Sequence, residues 1–147
     1  MSKRRVVITG LGMLSPLGNS VPESWNSIIN GNSGVTNINK FDTEGFETKF
    51  AATVNCNAED YLDKKDIRRV DEFIQFGLIA SQECLTDSRL NLEEEDLNRI
   101  GVSIGSGIGG LGTIEANNFI LNTKGPNKIS PFFVPGAISN MVSGYAS

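Results

Sequence analysis

Six consecutive residues, Gly105-Ser106-Gly107-Ile108-Gly109-Gly110, match G-x-G-x-x-G and follow the β-branched run that starts at Val102. A strand feeding such a turn can cradle a pyrophosphate on bare backbone N–H groups. That chemistry also needs the motif in the opening βα unit, with an acid about 20 residues on to hold a ribose. Here the motif lies past residue 100, and no Asp or Glu follows Glu115. The N-terminal copy, Gly10-Leu11-Gly12-Met13-Leu14-Ser15, lacks both the third glycine and the acid. Close backbone packing is therefore the stronger reading of both turns, and nucleotide binding the weaker.

Gly101-Val102-Ser103-Ile104-Gly105 is formally G-x-S-x-G. A nucleophile elbow places its serine on the sharp turn after a strand, with a histidine in reach. Ser103 falls inside the predicted strand instead, and the sequence contains no histidine. That absence removes Ser-His-Asp and Cys-His catalysis, and every His-based metal site, from this chain. Cys56, in a polar loop, and Cys84, in a helical pattern, form neither a disulfide framework nor a metal-ligand pair. The last cluster is cationic: Lys64, Lys65, Arg68 and Arg69. Cations at a helix start oppose the helix dipole, and Asp63 and Asp66 relieve part of that. The run is either a solvated face or a docking patch for an acidic partner, and the pattern alone does not decide between them.

The elements that must carry these residues belong to 147 residues with 39% apolar and 20% charged content, values of a globular domain or a piece of one. The net charge of −4 argues against a general nucleic-acid binder. The apolar run behind "MSKRR" is too short for an export signal, and no segment approaches the ~20 apolar residues of a membrane span. A reduced cytoplasmic protein is the plain reading. A strand is predicted at Arg5 to Thr9. A helix follows, with a Ser20/Glu23 capping box, Pro22 in its first turn, Gly31 as its stop, and an apolar stripe at Trp25, Ile28 and Ile29. Lys49 to Asn55 reads as another strand. A long helix is expected from Ile67 to Asp87, with Val70, Phe73, Ile74, Gly77, Ser81, Cys84 and Leu85 along one face. "NLEEEDLNR" reads as a short capped helix, the run into the glycine turn as a strand, Leu111 to Leu121 as a helix, and the chain end as one more short helix. Alternating strands and helices indicate an α/β layer with a parallel sheet. About three strands are too few to complete one.

Four segments in this order, "RRVVITGLGMLSPLGN", "DEFIQFGLIA", "IGVSIGSGIGGLG" and "KISPFFVPGAISNMVSG", closely resemble the N-terminal third of a type II β-ketoacyl-[acyl carrier protein] synthase, a condensing enzyme of fatty acid synthesis. The resemblance covers essentially the whole chain. It implies a thiolase-like α/β fold, layered α/β/α/β/α in the intact enzyme, with residues 1–147 forming most of the first half-domain. It also implies a homodimer that joins an acyl thioester to malonyl units on acyl carrier protein by decarboxylative Claisen condensation. No cofactor is implied, because the phosphopantetheine arrives on the carrier protein.

The family's nucleophilic cysteine lies in an A-C-T/S turn beyond "SGYAS", and its two histidines come later still. The resemblance thus implies no catalytic residue in this chain and no activity of the chain alone. A non-catalytic subunit of chain-length-factor type stays open beside it. By position, Gly107 and Ile108 resemble the segment lining the acyl pocket, where a branched side chain gates chain length, and Phe133 resembles the residue closing that pocket, with Phe132 its neighbour. Lys64, Lys65, Arg68, Arg69 and Lys128 match the carrier-protein docking region. Asn127 is uncharged where some relatives are basic.

Overall fold

The computed structural model describes residues 4–147. Of the basic start "MSKRR", Met1 to Lys3 lie outside the described residues. The spine is α3 (Glu72–Ser88), and its start differs from the sequence expectation. The chain makes one turn of helix, α2 (Lys64–Ile67), and then breaks. Asp71 adopts an extended conformation (ψ 160°) and restarts the helix by accepting a hydrogen bond from the Phe73 N–H. The predicted face is used in part: Val70 and Ile74 are buried, but Leu85 is exposed and Ile79, off that face, is buried instead. Val70, Ile74 and Val142 form the buried core, with Phe73, Leu78, Ile104 and Met141 packed around it. Gly77 gives α6 (Met141–Ala146) its close approach, since a Cβ there would collide with the Val142 side chain.

The N-terminal segment crosses the later turns of α3. Gly10 and Gly12 lie against the backbone of Cys84 and Ala80 so closely that neither position has room for a Cβ. Two carboxylates of α3 hold this crossing. Asp87 accepts the Leu11 N–H at 2.9 Å, and Glu83 accepts the N–H groups of Met13 at 2.7 Å and Val21 at 2.8 Å.

Val21 opens α1 (Val21–Ile29), where Ser20 accepts the Glu23 N–H as predicted. The reciprocal bond falls one residue early, because the Glu23 carboxylate takes the Asn19 N–H at 2.8 Å. The apolar stripe of this helix faces outward, against expectation, and Trp25 is 62% exposed. Polar contacts explain the orientation. Buried Ser24 lies 2.7 Å from the Ser15 hydroxyl, and Ser27 donates to the Leu17 carbonyl, so the serine side of the helix seats on the turn below.

The single sheet among the described residues is two-stranded and antiparallel, pairing β1 (Val35–Asn37) with β2 (Phe50–Ala52). β2 is the expected strand, shortened, and its partner was not foreseen. The runs at Arg5 to Thr9 and Val102 to Ile104 form no ladder among the described residues, so the expected parallel sheet is absent there. A strand exists only with a paired neighbour, and Val6 and Ile8 are 90% and 83% exposed. Ile104 is held instead by Ser143, whose hydroxyl accepts the Ile104 N–H at 2.9 Å and donates to its carbonyl at 3.1 Å.

The acidic run at Glu93 to Asp96 forms turns followed by a 3₁₀ segment at Leu97–Arg99 rather than a helix. Like charges in adjacent turns oppose a helix there, and the Asp96 side chain engages the Asn98 N–H instead. α4 (Leu111–Lys124) runs one turn longer than expected and ends at Gly125. The chain end forms two short helices, α5 (Phe133–Ala137) and α6, rather than one. Among the described residues no helix is long and apolar enough to cross a membrane.

Candidate functional site

The glycine turn divides into two halves with different duties. Gly109 has φ +81°, in the left-handed region, and a Cβ there would sit 2.5 Å from the Ala137 carbonyl oxygen. Gly110 donates its N–H to that same oxygen at 2.7 Å. A Cβ on Gly110 would meet the Asp71 Cβ at 2.8 Å and the Ala137 Cα at 2.9 Å. These two glycines serve packing, as the sequence reading favoured. Gly105 and Gly107 differ, because a Cβ at either would have nothing within 4 Å. Ile108 stands between the halves and is 71% exposed. The open half presents bare backbone and one branched apolar side chain to whatever lies above it.

Asp71 ties this turn to two other segments. One carboxylate oxygen accepts the Phe73 N–H at 3.4 Å, and the other accepts the Thr113 N–H at 2.9 Å in the first turn of α4. The Asp71 N–H donates to the Gly136 carbonyl at 3.1 Å. Sequence reasoning passed over Asp71. The available signal was its place directly ahead of the apolar pattern Phe73-Ile74, a usual position for a helix cap.

Phe133 is half-buried and lines a cavity of about 200 Å³ with Arg68, Arg69, Thr113, Asn117 and Phe132. Ile108 does not line it, so the turn and Phe133 are joined through α5 rather than through a shared cavity. The cations are unequal. Lys64 pairs with Glu59 at 2.9 Å, and that hydrogen bond raises its pKa further. Arg69 is half-buried, with its guanidinium 5.0 Å from the Phe132 ring centroid and 3.9 Å from Asp66. Lys65, Arg68 and Lys128 are exposed. Lys128 precedes Ser130, which lines the Arg68–Arg69 cavity and donates its N–H to Asn117 at 3.3 Å.

Both thiols are free. Burial, and then the Asp60 carboxylate, push the Cys56 thiol up, which keeps it protonated and poorly nucleophilic. A cavity of about 530 Å³ lies between the start of α1 and α3, lined by residues including Leu11, Val21, Tyr61 and Ile79. Its carboxylates, Glu23, Glu83 and Asp87, are already engaged by backbone N–H groups.

The family model for the β-ketoacyl synthase N-terminal domain matches residues 3–147. The chain belongs to this family. It is 54% identical over 148 aligned residues to 3-oxoacyl-[acyl-carrier-protein] synthase 2 of Vibrio cholerae, covering all of this chain and 36% of that protein. The enzyme of the same name from Staphylococcus aureus strain COL is 45% identical over 145 residues, covering 98% of this chain and 35% of its own length. The chain thus spans little more than a third of the length of these relatives. Among solved structures, a type II polyketide ketosynthase in complex with its acyl carrier protein matches with a TM-score of 0.76 at 25% identity, covering 99% of this chain and 38% of that one. The ishigamide ketosynthase/chain length factor matches with a TM-score of 0.81 at 23% identity, covering 99% of this chain and 36% of that one. The α/β, thiolase-like fold implied by the resemblance is the fold of these structures.

Proposed function

We propose that this chain is the N-terminal part of an acyltransferase of fatty acid biosynthesis that lengthens an acyl chain by decarboxylative condensation with malonyl-[acyl carrier protein]. The observation that carries this reading is the 54% identity to a 3-oxoacyl-[acyl-carrier-protein] synthase, which extends along the whole chain. In that reaction an enzyme thiolate first takes the acyl group from its carrier. Malonyl thioester then loses CO₂, and the resulting enolate carbon attacks the enzyme-bound acyl carbonyl. A new C–C bond forms, the thiolate leaves, and the 3-oxoacyl product stays on the carrier.

This chain's share of the work is binding. The open half of the glycine turn, with Gly107 and the exposed branched side chain of Ile108, offers an apolar contact that suits an alkyl tail. Its one hydroxyl, Ser106, is engaged by the Gly109 N–H, and Phe133 borders the turn through α5. Lys64, Lys65, Arg68 and Lys128 form the exposed part of a cationic face for the acidic carrier protein, Lys64 being paired with Glu59 and Arg69 half-buried against Phe132. The carrier complex of the polyketide ketosynthase supports the same class of partner. The nucleophilic cysteine and the two histidines of the family are expected from residues outside this sequence, and with them a cytoplasmic homodimer. No cofactor beyond the carrier's phosphopantetheine is required.

A second reading, a non-catalytic subunit, draws on the ketosynthase/chain length factor neighbour. One assay separates the two. Intact protein carrying this chain, mixed with acyl- and malonyl-[acyl carrier protein], should release CO₂ and give a carrier-bound product two carbons longer. Carrier binding without product would favour the non-catalytic subunit, and binding of NAD(H) or ATP at micromolar concentration would revive the nucleotide reading.

A further inference from the structure

The basic segment, the glycine turn and the Phe133 helix are three separate stretches of sequence, and they touch one another around a single side chain. We propose that Asp71 is the positioning residue of the glycine turn: by holding the start of α4 against α3 and α5, it sets where Ile108 stands and thereby which acyl lengths are accepted. This rests on the reading of Gly107 and Ile108 as an acyl surface.

The geometry carries the idea in three steps. Asp71 spends each carboxylate oxygen on a different helix, Phe73 N–H of α3 on one and Thr113 N–H of α4 on the other. The Thr113 bond, 2.9 Å to a carboxylate, is the shorter and the stronger type. Thr113 lies in the first turn of α4, so its N–H has no partner within the helix. Losing Asp71 therefore frees the helix start that directly follows the turn.

Next, Asp71 donates its own N–H to Gly136, and the Gly136 Cα is close enough to Arg69 that a Cβ would lie 2.7 Å from the Arg69 carbonyl. The docking segment and α5 are thus fixed to the same point. Finally, Gly110 is pinned between Asp71 and Ala137, which leaves the turn one way to leave the helix. A Cβ on Gly107 would meet nothing within 4 Å, and the turn around Ile108 is held by the Ser106 hydroxyl, which accepts the Gly109 N–H at 3.0 Å, and by the packing of Gly109 and Gly110 against Ala137.

The test is a double-mutant cycle in the intact protein, with Asp71→Ala removing the acceptor and Thr113→Pro removing the donor N–H at a helix position that tolerates proline. The readout is the ratio of kcat/KM for the longest and shortest accepted acyl chains, together with hydrogen exchange over residues 105–110. Each single variant should change the ratio at least about fivefold and raise exchange about tenfold, the scale of one lost charge-assisted hydrogen bond. The double variant should add no more than about twofold, because both changes remove the same bond. Equal loss for all chain lengths, unchanged exchange, or fully additive effects would overturn the proposal. If Asp71→Ala does not fold, Thr113→Pro alone still decides, since it leaves the α3 cap in place. Ile108→Phe is the control: if it leaves chain-length preference unchanged, the acyl-surface reading fails, whereas a shift there without one in the cycle variants refutes Asp71 alone.

Discussion

A methyl group added at Gly109, compared with one added at Gly107, separates the two halves of the glycine turn. At Gly109 (φ +81°) an alanine meets two penalties, left-handed backbone and a Cβ placed 2.5 Å from the Ala137 carbonyl oxygen. Left-handed backbone costs an L-residue about 1–2 kcal/mol and overpacking about 1–3 kcal/mol, so Gly109→Ala should weaken the local structure by roughly 2–5 kcal/mol. Since each 1.4 kcal/mol is about tenfold in an opening equilibrium, amide exchange over residues 109–113 and 136–138 should accelerate between about 30-fold and a few thousandfold, up to the limit set by global unfolding. At Gly107 φ lies outside the left-handed region and nothing stands within 4 Å of a Cβ. Gly107→Ala should therefore fall within about 0.5 kcal/mol of wild type, less than threefold in exchange. It should still alter use of the longest acyl chains, because the added methyl enters the open side. The assay is hydrogen exchange by mass spectrometry on the intact protein. Equal acceleration at both positions, or less than threefold at Gly109, would refute the division of the motif into a packed half and an open half.

Three further outcomes follow from particular contacts. Lys65→Glu with Arg68→Glu should weaken carrier-protein binding about tenfold at 10 mM salt, where the Debye length is near 30 Å, and the difference should shrink sharply at high salt; equal affinity at low salt would remove the docking face. Ile74→Ala, at the most buried side chain of the core, should cost about 2–5 kcal/mol in unfolding free energy, and a cost below about 1 kcal/mol would show that the core is elsewhere. Alkylation of Cys56 should reach its half-maximal rate at higher pH than alkylation of a cysteine in an unstructured peptide, since burial and Asp60 both disfavour its thiolate, and an equal or lower midpoint would contradict the assigned environment.

Local features were legible in the sequence and long-range ones were not. The Ser20 cap, the Gly31 stop and the Val70–Ile74 part of the α3 core face depend on neighbours within a few residues, and the structure carries each of them, whereas Leu85 is exposed and Ile79 is buried instead. The orientation of α1 depends on where the Ser15–Gly18 turn lies, so the apolar stripe of Trp25, Ile28 and Ile29 does not show by itself that it faces outward. The two apolar runs at Val6 and Val102 have strand composition, but pairing requires a partner that the described residues do not supply. The site divides in the same way. The missing acid made the phosphate cradle the weaker reading, and resemblance pointed to Ile108 and Phe133. That Gly109 and Gly110 pack while Gly105 and Gly107 stay open depends on Ala137, a residue far along the chain that no local pattern connects to the turn. The cap position of Asp71 ahead of Phe73 is local, but its bond to Thr113 was hidden for the same reason, because that partner lies on another helix.

The most direct test is to map where an acyl chain lies. Intact protein would be loaded with carrier protein bearing an acyl group with a terminal photoreactive diazirine, irradiated, digested and sequenced by mass spectrometry. Label on residues 105–110 and on Phe133 is the predicted result. Label confined to the cavity lined by Leu11, Val21 and Ile79 would contradict the account, whatever the activity of the protein.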